Sequence, residues 1–231
     1  MTSGATQVIF TIALGRTVGR RFMEIPPRDP DSPRRTRSSQ YDVVAMAASA
    51  GGIRALTRVL SGLSHPMPAS LVILLHLDPD HRSHLAKILG RATSVPVKEA
   101  EDGERLVNGT AYVAPPGHHL LVNPGKRLCL TQTEFVHFVR PSADLLFESV
   151  AASCGERAIA VVLTGSGVDG ASGVRAIAKQ GGFVLAQDEA SSEFFGMPGA
   201  AIRTGDVDRV LPLDEIAPAL IGLLGQEVPA S

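Results

Sequence analysis

The chain has 231 residues, 44% hydrophobic but only 4% aromatic, with no tryptophan and a formal net charge of −1. That length suits one α/β domain, or one domain with a tail, and the aromatic-poor composition suits a parallel sheet better than an aromatic-packed sandwich. The charge balance leaves no basic face for nucleic acid in the domain proper, and no apolar run approaches the roughly 18–20 residues an integral membrane segment requires.

Residues 1–40 are rich in Arg, Pro and Ser. Their seven arginines stand against Glu24, Asp29 and Asp31. They read as a disordered tail, with the globular part running from 41 to 225. The apolar stretch from Val8 to Leu14 has no basic region before it and arginines after it, a poor secretory signal, so a cytoplasmic protein is expected. Cys129 and Cys154 are isolated and read as reduced thiols.

From Tyr41 onward, apolar strands alternate with helical patterns. Strands are predicted at 42–47, 70–76, 158–164, 183–187 and 207–211, and helices near 53–62, 82–91, 142–153, 171–180, 198–204 and 214–224. Between 104 and 132 the pattern shortens around Asn108-Gly109 and Pro124-Gly125, which predicts a β-hairpin excursion. The expected fold is α/β: a three-layer, doubly wound, mainly parallel sheet with that excursion.

Three chemistry-bearing residues stand at predicted strand ends. Ser49 follows the run Val43-Val44-Ala45-Met46-Ala47-Ala48 and precedes Ala50-Gly51-Gly52. His76 closes Leu71-Val72-Ile73-Leu74-Leu75, and Asp169 lies in the loop after Val161-Val162-Leu163. A hydroxyl nucleophile needs an imidazole to take and return its proton and a carboxylate to orient that imidazole. In a doubly wound sheet, all three ends open on one crevice. Backbone N–H groups around Gly165-Ser166-Gly167 and Gly51-Gly52 are candidate oxyanion donors. Two of the three have a plain structural alternative: a strand-end serine is often a helix N-cap, and Asp169 before Gly170 could cap the helix at 171–180.

A second pattern competes. His76, Asp78, Asp80, His81 and His84 put five donors in nine residues, similar to the HxHxDH run of metallo-β-lactamases, with Asp78 where the second histidine belongs. No matching downstream ligand set appears, and a metal-dependent hydrolase built on His76, Asp80 and His81 leaves the Ser49 turn without a role. No metal or other cofactor is expected.

Residues 42 to about 220 resemble the catalytic domain of the chemotaxis protein-glutamate methylesterases, the CheB family. Ala48-Ser49-Ala50-Gly51-Gly52 is similar to the family's nucleophile turn, and Leu75-His76 followed by Arg82 to its histidine segment. The runs from Val97 to Gly103, from Ala111 to Gly117 and from Arg140 to Asp144 are similar to three further signatures. Leu163-Thr164-Gly165-Ser166-Gly167-Val168-Asp169-Gly170 resembles LTGMGxDG, and Phe195-Gly196-Met197-Pro198 matches FGMP.

The resemblance implies a serine hydrolase without a metal. Its substrates would be glutamate methyl esters of chemoreceptor-type signalling proteins, often with deamidation of receptor glutamines. Ser49 would be the nucleophile, His76 the general base and acid, and Asp169 the orienting carboxylate. Ala50, Gly51, Gly52, Ser166, Gly167, Arg82 and Met197 would form the oxyanion and substrate pocket. Ser166 stands where the family has a methionine whose backbone amide is linked to the oxyanion hole, and it keeps that amide. The expected partner is a methylated chemoreceptor or related signalling protein. A catalytically weak, receptor-binding module is the alternative of a different class. Chemotaxis members usually carry a receiver domain of roughly 120 residues ahead of this one, and 40 residues cannot build such a domain. Activity independent of phosphorylation is therefore expected.

Overall fold

The computed structural model describes residues 8–10, 21–23, 41–76 and 84–225, and the chain divides into two units, Met1–Arg35 and Thr36–Ser231. In the first, β1 (Val8–Phe10) pairs antiparallel with β2 (Arg21–Met23). The other residues expected to form the tail lie outside the described residues.

The second unit is built on seven strands: β3 (Val43–Ala48), β4 (Ser70–Leu75), β5 (Val97–Glu99), β6 (Ala111–Val113), β9 (Ala158–Val162), β10 (Phe183–Gln187) and β11 (Arg209–Leu211). All are parallel, in the order β11-β10-β9-β3-β4-β6-β5. The chain winds outward from β3 through β4 to the β5/β6 edge, then returns to β3's other side for β9, β10 and β11. The reversal falls at β3, the switch point at which doubly wound sheets open a ligand crevice.

β3 shows why the sheet is covered on both faces. Val44, Met46 and Ala48 pack into one core with α1 (Gly52–Ser61), α2 (Leu85–Gly90) and α6 (Leu213–Leu223). Val43, Ala45 and Ala47 pack into the other with α3 (Ala143–Cys154), α4 (Ala171–Lys179) and α5 (Gly196–Ile202). Alternate side chains point to opposite faces, so a strand buried on both sides is apolar throughout, and its alanines let helices approach closely. α1 follows helical periodicity, burying Ala55, Leu56, Val59 and Leu60 and exposing Ile53. No helix among the described residues is long and apolar enough to cross a membrane.

The expected three-layer architecture holds, with two local differences. The hairpin is β7 (His119–Asn123) with β8 (Arg127–Thr131), closed at Pro124-Gly125. Asn108-Gly109 instead turns the chain into β6, a strand of the main sheet. The edge strand β5 is too short, and too mixed in polarity, for periodicity to mark.

Candidate active site

The turn after β3 is built around glycine. Gly51 has φ +76°, a left-handed conformation that strains any other residue, and the Gly52 N–H closes the turn on the Ser49 carbonyl at 2.8 Å. Gly52 lies against Leu75 and Ala48, where a Cβ would come within 2.5 and 2.7 Å of their side chains. Ser49 thereby stands, half-buried, just past the carboxyl end of β3. Its own N–H is anchored on the Thr164 carbonyl at 3.0 Å. β3 and β4 pair Ala48 with Leu75, and the His76 N–H donates to the Ala48 carbonyl at 3.1 Å. Ser49 and His76 therefore leave neighbouring strands side by side.

Asp169 reaches the same point from the loop after β9. Its Oδ2 accepts from His76 Nε2 at 2.9 Å and from the Ala143 N–H at 2.6 Å. Its Oδ1 accepts from the Ser142 hydroxyl at 2.9 Å and from the Asp144 N–H at 3.1 Å. The carboxylate thus sits on the first amides of α3, at the positive end of that helix's dipole. It does not cap α4, whose N-cap is Gly170 with no side-chain bond. Burial pushes the Asp169 carboxyl up, but the bonds from His76, Ala143 and Asp144 outweigh it and hold the group below the usual carboxylate range. An ionised carboxylate only accepts, so His76 Nε2 carries a proton, and it is the neutral ring so oriented that has its lone pair on Nδ1. Among the described residues the Ser49 hydroxyl makes no hydrogen bond.

Two close approaches set the packing around Ser49. Gly165 lies directly against the nucleophile: a Cβ there would come within 2.8 Å of Ser49 Cβ and 2.4 Å of Met197 Sδ. Met197 is fully buried, packed under that loop, with its N–H on the Gly165 carbonyl at 2.8 Å. Gly196 lies against Gly165 and Gly167, where a Cβ would meet their backbone within 3.0 Å. The Gly165 N–H is spent on the Phe194 carbonyl and that of Gly52 on Ser49, which removes both from the set of oxyanion donors. Among the described residues the N–H groups of Ala50, Gly51, Ser166 and Gly167 have no acceptor, and Ser166 and Gly167 are exposed. Arg82 lies outside the described residues, as do Asp78, Asp80 and His81 of the alternative metal cluster.

One group of donors could approach a cation: ligand atoms of His137, Asp144 and Asp169 lie within 4.8 Å of one another. Both carboxylates are already engaged. Asp144 accepts from the Gly173 N–H at 2.9 Å and pairs with His137 Nε2 at 3.1 Å, and Asp169 takes four hydrogen bonds. A metal would have to displace these bonds. Burial raises the Asp144 carboxyl, with the Asp169 charge adding, and pushes Glu148, one turn further along α3, up to about 7.

Ser142, Ala143 and Thr164 are structural parts of the site to which sequence patterns assign no role. The Thr164 hydroxyl, within 3.0 Å of the Ala50 carbonyl and 2.9 Å of the Phe194 N–H, ties the nucleophile turn to the segment before α5. Ser142 lies in the run Arg140-Pro141-Ser142-Ala143-Asp144. Its signal is the helix N-cap residue type, but the carboxylate it serves is 27 residues away.

The profile of the CheB methylesterase family matches residues 44–220. The chain is 40% identical over 189 residues to protein-glutamate methylesterase/protein-glutamine glutaminase 3 of Paramagnetospirillum magneticum, covering 82% of this chain and 53% of that protein. It is 42% identical over 181 residues to protein-glutamate methylesterase FrzG of Myxococcus xanthus, covering 78% and 54%. The chain therefore spans about half the length of these curated relatives. The crystal structure of the Thermotoga maritima CheB methylesterase catalytic domain superposes with a TM-score of 0.77 at 35% identity, covering 79% of this chain and 98% of that one. By sequence and by fold, this chain belongs to the CheB methylesterase family.

Proposed function

We propose that this chain hydrolyses γ-glutamyl methyl esters on chemoreceptor-type signalling proteins with Ser49, His76 and Asp169 as its catalytic triad. The observation that carries the reading is the His76–Asp169 hydrogen bond at the switch point, one strand from Ser49 in register. Ser49 Oγ attacks the ester carbonyl and passes its proton to His76 Nδ1, while Asp169 holds Nε2–H and stabilises the imidazolium. The carbonyl oxygen becomes an oxyanion within reach of N–H groups from Ala50 or Gly51 and from Ser166 or Gly167. Collapse breaks the ester C–O bond, and methanol leaves with the proton from His76. Water then attacks the acyl-enzyme, giving one proton to His76; collapse breaks the bond to Ser49 Oγ, His76 returns that proton to Oγ, and the glutamic acid leaves and gives up its own proton to solvent. Two relatives at 40% identity or above carry methylesterase in their names, which supports the ester.

The test is methanol release from methyl-labelled chemoreceptor membranes, with ammonia release measured in parallel for glutamine deamidation. Release lost in Ser49→Ala and insensitive to EDTA is the expected result. Release that survives Ser49→Ala, or that stops with EDTA and returns with zinc, would overturn the mechanism.

A further inference from the structure

We propose that His119, fully buried on β7, is a positioning residue for the Asp169–His76 pair and acts through the backbone of Ser142. The inference rests on the triad reading above and extends it one tier outward. His119 Nε2 lies 3.0 Å from the Glu134 carbonyl oxygen, and Nδ1 lies 3.1 Å from the Ser142 N–H. A carbonyl only accepts and an N–H only donates, so the ring must carry its proton on Nε2 and a lone pair on Nδ1. One neutral tautomer satisfies both neighbours. Burial holds the ring in that neutral state by pushing its pKa down. The Glu134 carbonyl acts against this, Arg140 adds to it, and the Asp169 charge opposes it.

The ring clasps both ends of the loop between Glu134 and Ser142. At the Ser142 end, the next groups along the chain are the Asp169 donors: the Ser142 hydroxyl and the N–H groups of Ala143 and Asp144. Fixing the Ser142 peptide therefore fixes the cradle that fixes the carboxylate, which in turn fixes His76.

The hairpin gives this brace its rigidity. Ser149 and Ser153 of α3 bond the Val122 N–H and carbonyl on β7 at 3.0 and 2.6 Å, so strand and helix are locked in register. The hairpin stands outside the main sheet, and this brace gives it a catalytic purpose.

The experiment compares full-length His119→Asn, His119→Leu, Ser142→Ala and their double variant, with Ser49→Ala and Asp169→Asn alongside. Asparagine carries Oδ1 on the same Cγ and can still accept from Ser142, whereas leucine fills space and accepts nothing. The readouts are kcat and KM for methanol release from methyl-labelled chemoreceptor membranes, and the rate of Ser49 modification by a fluorophosphonate. His119→Leu should lower kcat by roughly 10–100-fold at unchanged KM, the scale of an ångström-level misplacement of a catalytic group. His119→Asn should recover most of that loss. Adding His119→Leu to Ser142→Ala should lower kcat further, since the Ala143 and Asp144 N–H donors that His119 positions are still present.

A histidine that merely fills the core predicts the opposite order, with leucine better than asparagine, and that order overturns the proposal. So does a kcat within twofold of wild type in His119→Leu. If the leucine variant does not fold, His119→Gln decides: its amide can still reach the Glu134 carbonyl but places no acceptor at the Nδ1 position, and wild-type turnover there removes the relay. Loss of activity in Ser49→Ala and Asp169→Asn without effect in the His119 variants sinks this inference alone. Retained activity in Ser49→Ala and Asp169→Asn sinks it together with the triad.

Discussion

Replacing Gly165 by alanine adds one methyl group where the fold leaves no room. The new Cβ would stand 2.8 Å from Ser49 Cβ, 3.1 Å from Ser49 N and 2.4 Å from Met197 Sδ. Carbon atoms rest at about 3.5 Å or more, so Ser49 or the loop must yield by about 0.7 Å. Met197 can turn its flexible side chain aside, but Ser49 cannot move cheaply, because its N–H is bonded to the Thr164 carbonyl one residue from the substitution. Overpacking of this kind destabilises by ~1–3 kcal/mol, and for a domain of this size each 1 kcal/mol lowers Tm by roughly 2–4 °C. The larger effect falls on chemistry, with kcat down roughly 10–100-fold from displacement of the nucleophile. Methanol release and thermal unfolding should be measured on the same preparation. Gly222→Ala is the control: that glycine is exposed near the end of α6, nothing lies within reach of its Cβ, and a helical alanine adds up to ~1 kcal/mol of stability. A Gly165→Ala enzyme with wild-type kcat would show that the packing around Ser49 does not set its reactivity.

Ser49→Ala and His76→Ala should each lower kcat by up to ~10⁶-fold, and Asp169→Asn by ~10⁴-fold, with Tm used to confirm that Ser49→Ala folds; a tenth of wild-type turnover in Ser49→Ala would end the assignment. His119 is depressed by burial, so below the unfolded pKa of about 6.5 the unfolded chain takes up a proton the folded one refuses; the Tm advantage of wild type over His119→Asn should be full above that pH and shrink as pH falls toward the depressed value, and a pH-independent gap would refute it. Glu148 has the opposite sign: its folded pKa is raised to about 7, so its contribution is lost as pH rises from the unfolded value of about 4.3, and Glu148→Gln should gain Tm relative to wild type across that window and hold the gain above it.

The parts of the fold that a reader of the sequence can see are those with local signals. The run before Ser49 is continuously apolar because β3 is buried on both faces, and Ser49 and His76 mark strand ends that the parallel register sets side by side. Asp169 is visible as a strand-end acid, but its partners are not. Ser142, Ala143 and Asp144 precede it by 25–27 residues, and nothing near Asp169 distinguishes a carboxylate that caps α3 from one that caps α4. His119 is harder still, since its neutral tautomer is dictated by an N–H and a carbonyl that only the folded loop brings to either side of the ring. β5 escapes notice because three residues of mixed polarity carry no period.

The central place of β3 also matters while the chain is being made. Val43 pairs with Ser70 on one side and with Ala158 on the other, about 115 residues further along. β4 precedes β9 by about 88 residues, so at typical synthesis rates of about 5–20 residues per second the strand carrying Ser49 spends roughly 4–18 s with one neighbour in place and one edge bare. A bare, wholly apolar edge is a template for pairing with another chain. The position that lets both halves of the sheet reach the nucleophile therefore makes the nascent protein most exposed to aggregation just before β9 arrives.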